Sequence, residues 1–337
     1  MMNKIKFEEL ALDFLNQLFN KLTQEKIEIA PHWDIDHLCY RVDSLNRYEE
    51  LKSLFTTFGK QLIESDVNGR PIATFKLNSA IVFKEWAIDV VELPAPKVSK
   101  PTKEGFEHIE VVCDDAFSDL EAKYKHLKLD LGGLKKDFNQ EFEIDLGERN
   151  LKFHHMSLES VIRVEENKQI FKALEESKIL KNFKKFTPFV AGTFPLGVHT
   201  HKSDLDVLMY AENLNELKDL LHADYGHLEA FTSRIDMVDD LETLIVNFNF
   251  LNTPFEIFAQ NKAVVKQKAY LHFQVEERLL KIGGSKLLKK IQDYRLKELK
   301  TEPAFAHALN LEGDAYSELL LLQRASNLQL MKIVESV

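Results

Sequence analysis

Cysteine is almost missing from this sequence of 337 residues. The two cysteines, Cys39 and Cys113, each lie in a short apolar run that is typical of a buried strand. Two such residues do not make the disulfide framework of a small secreted protein, and they suit a reducing compartment. The sequence therefore predicts domains that are stabilised by hydrophobic cores without disulfides.

Long apolar runs are missing as well. No segment approaches 18 uninterrupted apolar residues, and the opening MMNKIKFEEL brings acidic residues before any apolar stretch of signal length. These absences argue against a membrane partner and a cleaved signal sequence. We expect a cytoplasmic protein.

Basic residues are fewer than acidic residues in this sequence. The chain has 44 Lys and Arg against 54 Asp and Glu, a formal net charge of -10. An extended nucleic-acid surface needs clustered basic residues to displace counterions from phosphates, so we expect none. The basic stretches 182–185 and 286–300 are typical of solvated helix faces.

The length and the 24 Phe residues are enough for two globular domains. The first half contains one order of elements twice. A strand at His37–Val42 is followed by a helix and by strands near Gln61–Val67, at Ile72–Leu77 and at Ile81–Glu92, ending at Pro94; then a strand at Glu107–Val112 is again followed by a helix and further strands. An amphipathic helix at 7–27 precedes them, and the pair Asn68-Gly69 predicts a turn. The repeat predicts two modules packed by pseudo-symmetry.

The second half begins after a charged helical stretch that we predict to be a linker. Strands are predicted at Leu205–Tyr210, Leu244–Phe250 and Phe255–Phe258, and a helical tail from Val265. The predicted division is residues 1–165, a linker helix at 166–186, and residues 187–337. The predicted fold class is α+β with two domains.

Two aspartates in the second half are placed to share a cation. Residues two apart in a strand point to the same face, so Asp204 and Asp206 can converge. Gly192 and Thr193 lie where a strand passes into a loop, where backbone amides and a hydroxyl could hold phosphate oxygens. Glu256, on a strand between apolar neighbours, is the candidate third carboxylate. Three such acids predict a site for Mg²⁺ or Mn²⁺.

These residues resemble a known signature. Gly192-Thr193 followed by Ser203-Asp204-Leu-Asp206-Val looks like the polymerase-beta-type nucleotidyltransferase superfamily, and GTFPLGVHTHKSDLDV, PFEIFAQ and QKAYLHFQVEERLL resemble a bacterial nucleotidyltransferase-like family of unassigned activity. The resemblance implies a nucleotidyltransferase-fold α/β domain and transfer of a nucleoside monophosphate from a nucleoside triphosphate to an unknown hydroxyl acceptor. Asp204, Asp206 and Glu256 would be the catalytic metal ligands. Gly192, Thr193, Ser203, His272 and Glu276 would bind nucleotide.

Plainer alternatives stay open for each of these residues. An Asp-x-Asp pair is common in solvated surface turns, and a His and a Glu on one helix face often only pair with each other. Members of a superfold can also lose catalysis and keep binding.

A second set of candidate ligands lies in the first half. His37 opens the first strand of one module and Glu92 closes its last strand, while His108 and either His154 or His155 occupy similar places in the other module. Two or three imidazoles and a carboxylate suit zinc, nickel, iron or manganese. The alternative is that these are structural strand residues with local partners.

The phrases DHLCYRV, NGRPIATFKL, VVELPAPK, EGFEHIEVV and LKFHHMSLESVI look like the YecM-like family of the vicinal oxygen chelate, or glyoxalase-like, superfold. The resemblance implies paired βαβββ modules, with His37, Glu92, His108 and His154 around a metal. His155 fits the family pattern less well than His154. Residues 68–70 would shape the mouth of the site or would be only a hairpin turn.

Three hypotheses follow. The chain is a magnesium-dependent nucleotidyltransferase fused to a metal-binding module, or a catalytically silent protein that binds a small molecule or partner. The third is an enzyme whose N-terminal domain acts on a small oxygenated metabolite that chelates its metal. The oligomeric state stays open.

Overall fold

The computed structural model describes residues 2–67, 69–97 and 103–335. The chain divides into two compact units. The first contains residues 1–136, 140–159 and 326–328, and the second contains 137–139, 160–325 and 329–337. The predicted turn residue Asn68 lies outside the described residues, as do the first residue and the last two.

The first unit repeats one order of elements, as predicted. After helix α1 (Lys4–Gln24) the first module comprises β1 (Asp34–Arg41), α2 (Leu45–Phe55), β2 (Gly59–Asp66), β3 (Pro71–Phe83) and β4 (Trp86–Pro94). The second comprises β5 (Gly105–Val112), α3 (Phe117–Tyr124), β6 (Leu129–Asp130), β7 (Phe142–Asp145) and β8 (Asn150–His154). This is the paired βαβββ arrangement.

The two modules join edge to edge in one eight-stranded sheet of order β2-β3-β4-β1-β5-β8-β7-β6. Its centre is the antiparallel pair of first strands, β1 and β5. Alternate residues such as Leu38, Val91 and Ile109 belong to the hydrophobic core that includes Phe7 and Leu15 of α1. The other set of alternate residues, which contains the predicted ligands, lies on the opposite face.

One strand boundary differs from the prediction. Residues 71–83 form a single strand, although the sequence predicted a break between Leu77 and Ile81. The register of β3 against β4 shifts between Lys76 and Ile81, so the small polar residues there make a bulge and the chain turns later, at Lys84 with φ 50°.

The predicted linker helix at 166–186 is instead a series of short helices: α4 (Leu158–Glu166), α5 (Lys168–Ser177), α6 (Ile179–Asn182) and a 3₁₀ turn at Lys184–Phe186. Lys178 has a left-handed backbone that ends α5, and Asn167 caps its start. Two interruptions therefore break a segment whose apolar spacing is helical throughout.

The second unit contains a five-stranded mixed sheet of order β11-β12-β13-β10-β9. Its strands are β9 (Phe189–Ala191), β10 (Leu205–Tyr210), β11 (Thr232–Val238), β12 (Leu241–Phe250) and β13 (Thr253–Gln260). The helices are α7 (Thr193–Leu196), α8 (Leu214–Tyr225), α9 (Lys268–Leu296), α10 (Thr301–Ala308), α11 (Ala315–Leu322) and, at the end of the chain, α12 (Asn327–Glu335). Every helix among the described residues is too short or too polar to cross a bilayer.

Candidate metal centre and carboxylate site

Two bulges in the central strand pair position the histidines of the first unit. The register of β1 against β5 skips one residue at Asp36 and one at Glu107. A bulge adds a residue that interrupts the alternation of faces, so each acid can lie beside the histidine that follows it. His37 Nδ1 lies 2.8 Å from Asp36 Oδ2, and His108 Nδ1 lies 3.0 Å from Glu107 Oε2.

The outer nitrogen of each histidine is directed to one carboxylate, that of Glu110. Its oxygens lie 3.5 Å from His37 Nε2, 3.3 Å from His108 Nε2 and 2.6 Å from His154 Nε2. Lys152 Nζ lies 3.1 Å from the same carboxylate. Three of the four predicted ligands are therefore brought together, around Glu110, a residue that was not predicted as part of the site.

Glu92 completes the predicted set. It lies opposite Cys39 on the neighbouring strand, and one ligand atom each of His37, Glu92 and His108 lie within 4.8 Å of one another. A second group with the same spacing comprises Cys39, Glu107 and His108. Glu92 is partly exposed, whereas the three histidines are buried.

The carboxylates create a potential that favours positive charge at the histidines. Burial alone would lower the pKa of His37, but Glu110 and Asp36 raise it to about 10. Burial would likewise raise the pKa of Glu110, yet attraction to His37 and Lys152 holds it well below its usual range. A divalent cation supplies positive charge of the kind that this arrangement stabilises.

The donor set fits a divalent transition metal. His37 Nε2 and His108 Nε2 are buried and face Glu110 at 3.5 and 3.3 Å without a hydrogen bond of good geometry, while the acids on both Nδ1 atoms fix the tautomer that leaves Nε2 able to bind a cation. Imidazole nitrogens with carboxylate oxygens suit zinc, iron, nickel or manganese.

His155 is turned away from this site. Its ring stacks on Phe117 with centroids 4.0 Å apart, and its Nε2 lies 2.9 Å from the Asp115 carbonyl oxygen. The neighbouring histidine, His154, ends β8 on the same face as Lys152. Of the two adjacent histidines that were candidate ligands, His154 is the one that lies beside Glu110.

Glu110 could have been found from the sequence. It follows His108 by two residues on an apolar strand, and period-two alternation places the two side chains on one face. A buried carboxylate between apolar residues requires a partner. The bulges at Asp36 and Glu107 left no comparable signal because they depend on strand pairing.

The second unit brings two of its predicted acids side by side. β10 and β13 are parallel, and Asp206 is the register partner of Glu256, so both side chains lie on one face. Asp204 precedes β10 with the same parity as Asp206. The three do not form a group whose ligand atoms all lie within 4.8 Å of one another among the described residues.

Gly192 allows the backbone to approach Asp206 closely. It has φ +75°, and a Cβ atom at this position would collide with Asp206 Oδ2. The Oγ1 atom of the next residue, Thr193, is buried without a hydrogen-bond partner among the described residues. Ser203 is instead used locally, because its Oγ accepts a hydrogen bond from the Thr200 amide at 2.9 Å.

His272 and Glu276 lie four residues apart on α9, and both are buried. His272 Nδ1 lies 3.3 Å from Glu302 Oε1, and its Nε2 lies 3.1 Å from the Tyr316 carbonyl oxygen. Burial, together with repulsion from Glu302, raises the pKa of Glu276 well above its usual range. The predicted pair is thus on one helix face, and Glu302 is an additional acid beside it.

Repulsion also links the strand acids. Burial raises the pKa of Asp206 well above its usual range, with further contributions from Glu256, Asp204 and Glu302. Burial and Asp204 raise the pKa of Glu256. Carboxylates that gather with little positive charge nearby gain from a bound cation.

Comparison with curated proteins supports the resemblance of the first half. Residues 5–146 match the family described as YecM protein. An uncharacterised protein of Haemophilus influenzae is 40% identical over 91 residues, which cover 27% of this chain and 48% of the relative. Protein YecM of Escherichia coli is 29% identical over 147 residues, which cover 39% of this chain and 78% of the relative. The chain thus spans about half the length of the Haemophilus relative.

Among solved structures, the structural-genomics protein EC4020 is similar at 27% identity with a TM-score of 0.40, covering 46% of this chain and 90% of that one. Residues 172–322 match a family described as a domain of unknown function, DUF4269. The predicted YecM-like resemblance of the N-terminal half is confirmed, and the C-terminal half is similar to a family whose description assigns no activity.

Proposed function

We propose that the first unit is a metalloenzyme domain of vicinal oxygen chelate type that acts on a small oxygenated metabolite. The observation that carries this proposal is the convergence of three imidazole Nε2 atoms on the Glu110 carboxylate, with distances of 2.6 to 3.5 Å. Imidazoles from both modules thus meet at one buried acid, a donor set that suits a divalent transition metal.

The ligands would be His37, His108 and His154 with a carboxylate from Glu110 or Glu92. Asp36 and Glu107 hold the Nδ1 side of two of these histidines and so fix the orientation of the rings. A bound divalent metal would act as a Lewis acid that polarises an oxygen of the metabolite.

Glu92 is suited to accept a proton from the metabolite. It is partly exposed, and one of its carboxylate oxygens lies within 4.8 Å of a ring nitrogen of His37 and of His108. Glu110, by contrast, is buried and is held by Lys152 and by the histidines. Glu92 is therefore the more accessible of the two carboxylates of this site.

Titration of chelator-treated protein with Zn²⁺ or Mn²⁺ in a calorimeter tests the metal site. With Zn²⁺ we expect one site per chain, in the first unit, and we expect His154→Ala to weaken it at least tenfold because an imidazole ligand is lost. His155→Ala is the matched control and should bind like the wild type. Equal affinities of all three proteins would refute the proposal.

The second unit is a candidate nucleotidyltransferase site. The pairing of Asp206 with Glu256, the close approach of Gly192 to Asp206, and the buried Thr193 hydroxyl support it. Asp204, Asp206 and Glu256 would hold Mg²⁺ or Mn²⁺. Backbone amides at Gly192–Thr193 would hold phosphate oxygens of a nucleoside triphosphate. Ser203, His272 and Glu276 would line the nucleotide pocket.

Incubation with each nucleoside triphosphate and Mg²⁺ tests this second function through release of pyrophosphate. Asp204→Ala combined with Asp206→Ala should abolish the release, whereas Asp240→Ala, in the exposed turn after β11, should not. If no triphosphate is turned over and none shifts the thermal unfolding temperature, the unit is not a nucleotidyltransferase.

A further inference from the structure

Arg70 is a cation on the ligand-bearing face of the first sheet. It directly precedes β3, and Val67 donates a backbone hydrogen bond to its carbonyl oxygen at 2.9 Å. Alternation places Arg70 on the same face as Thr74, which is the register partner of Glu92. Arg70 therefore shares a face with the proposed metal ligands.

The Arg70 guanidinium is only partly exposed, and its charge is influenced by burial and by neighbouring charges without a hydrogen bond from a described residue. Its electrostatic neighbours are Arg41, Glu92, Cys39 and Glu107, which all belong to the metal site or its border. A partly buried charge without a partner costs free energy that a bound anion would recover.

Arg41 differs from Arg70 because it has a partner within the fold. It lies two positions after Cys39 on β1 and therefore on the same face as His37 and Cys39. Its Nε donates a hydrogen bond to Glu107 Oε2 at 2.6 Å. That contact ties Arg41 to the acid that holds His108. Of these two neighbouring arginines, Arg41 already uses its Nε donor within the fold, whereas Arg70 has all of its donors available for a ligand.

Strand geometry sets the size of what could bind. Arg70 lies four residues from Thr74 along the chain, which is about 13 Å between Cα atoms in extended backbone. Because the Arg70 side chain is long, its guanidinium can lie closer to Glu92, the register partner of Thr74, than this Cα distance suggests. The span suits a molecule of a few carbon atoms whose one end reaches the metal and whose other end reaches the guanidinium.

We propose that Arg70 is a specificity-determining residue that binds a terminal oxyanion, a carboxylate or phosphate, of the same small molecule whose other oxygens face the metal. This inference rests on the metal site proposed above. A planar guanidinium binds either oxyanion through two parallel hydrogen bonds, and lysine cannot reproduce that geometry.

Calorimetry with Mn²⁺-loaded protein tests the proposal. The probes are 2-oxoglutarate, which has a chelating end and a distal carboxylate, 2-oxo-4-phosphonobutanoate, which has a distal phosphonate, and 2-oxopentanoate, which has no distal anion. Arg70→Ala should weaken the preferred oxyanion probe about 10- to 100-fold, as expected for a charged hydrogen-bonded contact. Binding of 2-oxopentanoate should not change, and Arg70→Lys should restore only part of the affinity.

Arg149→Ala, on the hairpin between β7 and β8, is the control arginine and should bind all probes like the wild type. Metal content is measured on every sample. If Arg70→Ala keeps its metal and binds both oxyanion probes as tightly as the wild type, the role of Arg70 is refuted while the metal site stands. If wild-type protein binds no metal, the metal site and this inference both fail.

Discussion

At the scale of single residues, the two units contain buried carboxylates with opposite surroundings. Glu110 is stabilised as an anion by His37 and Lys152, whereas Glu276 lies near Glu302 and has an unpartnered, buried Oε1 atom among the described residues. Opposite surroundings give opposite shifts in pKa. The negative charge of Glu110 is therefore balanced by neighbouring positive groups, whereas Glu276 has no such partner close by among the described residues.

Replacing Glu276 by glutamine should stabilise the protein most at high pH. Because the folded pKa of Glu276 is raised, the folded state binds more protons than the unfolded state between the ordinary pKa of 4.5 and the folded pKa, so stability falls as pH rises through that interval. Glu276→Gln removes this loss, about 1 to 3 kcal/mol for a buried unpaired group. Urea unfolding at pH 5.5 and 8.5 measures it, and exposed Glu229→Gln is the control. A variant with the same pH dependence as the wild type would contradict this explanation.

Gly192 should tolerate no side chain. Gly192→Ala would place a Cβ atom on Asp206 Oδ2 and would require a left-handed backbone, so we expect a loss of about 1 to 3 kcal/mol in the free energy of unfolding. Gly69→Ala is a useful comparison, because Gly69 also has positive φ but no atom lies within 4 Å of its Cβ position. Equal losses in both would mean that the contact with Asp206 has no separate effect.

At the scale of elements, the sequence contained the order of strands and helices but not their pairing. Periodicity found both βαβββ modules and β10, because apolar alternation reports which face is buried. It missed β11, whose residues are mostly exposed, and β6, which has only two residues. The bulges at Asp36 and Glu107 arise from the register of β1 against β5, which no single strand specifies.

The same limit explains the candidate site. His37, Glu92 and His108 were predicted from their similar places in the repeated modules together with the YecM-like resemblance, and the choice of His154 over His155 came from that resemblance. Their acidic partners are set by strand pairing, and only Glu110 left a pattern that could have been recognised. The roles of the second-unit residues are still predictions, since the geometry places Asp206 beside Glu256 without assigning a reaction.

The bulges make a prediction about metal affinity. Asp36→Asn keeps an oxygen for the hydrogen bond from the Leu158 amide but removes the charge beside His37 Nδ1. We expect metal affinity to fall about 10- to 100-fold, the usual effect of losing such a supporting carboxylate. Asp43→Asn, exposed two residues after β1, should leave the affinity unchanged, and a similar drop in both variants would refute the role of Asp36.

At the scale of the whole molecule, each compact unit has its own sheet and its own group of candidate ligands. The ligand types differ, with imidazoles and carboxylates in the first unit and carboxylates in the second. Softer nitrogen donors favour transition metals, while an all-oxygen set favours Mg²⁺. We therefore expect a transition metal to bind mainly at the first site and Mg²⁺ mainly at the second.

Calorimetric unfolding of the full chain should separate them. A ligand that binds only the folded state raises the unfolding temperature. Zn²⁺ should do so in the wild type and in Asp206→Asn but not in His108→Ala. Mg²⁺ with a nucleoside triphosphate should raise the unfolding temperature in the wild type and in His108→Ala but not in Asp206→Asn. If one substitution removed both responses, the two sites would not be independent.

The proposed metal centre requires that His37, His108 and His154 surround one metal ion. Anomalous diffraction from crystals soaked with Mn²⁺ or Zn²⁺, measured at the absorption edge of the metal, tests this arrangement. We expect an anomalous peak about 2.0 to 2.3 Å from the Nε2 atoms of these histidines, with a carboxylate oxygen of Glu110 or Glu92 also in contact. A well-ordered first unit without a peak at that place, under conditions that saturate exposed sites, would contradict it.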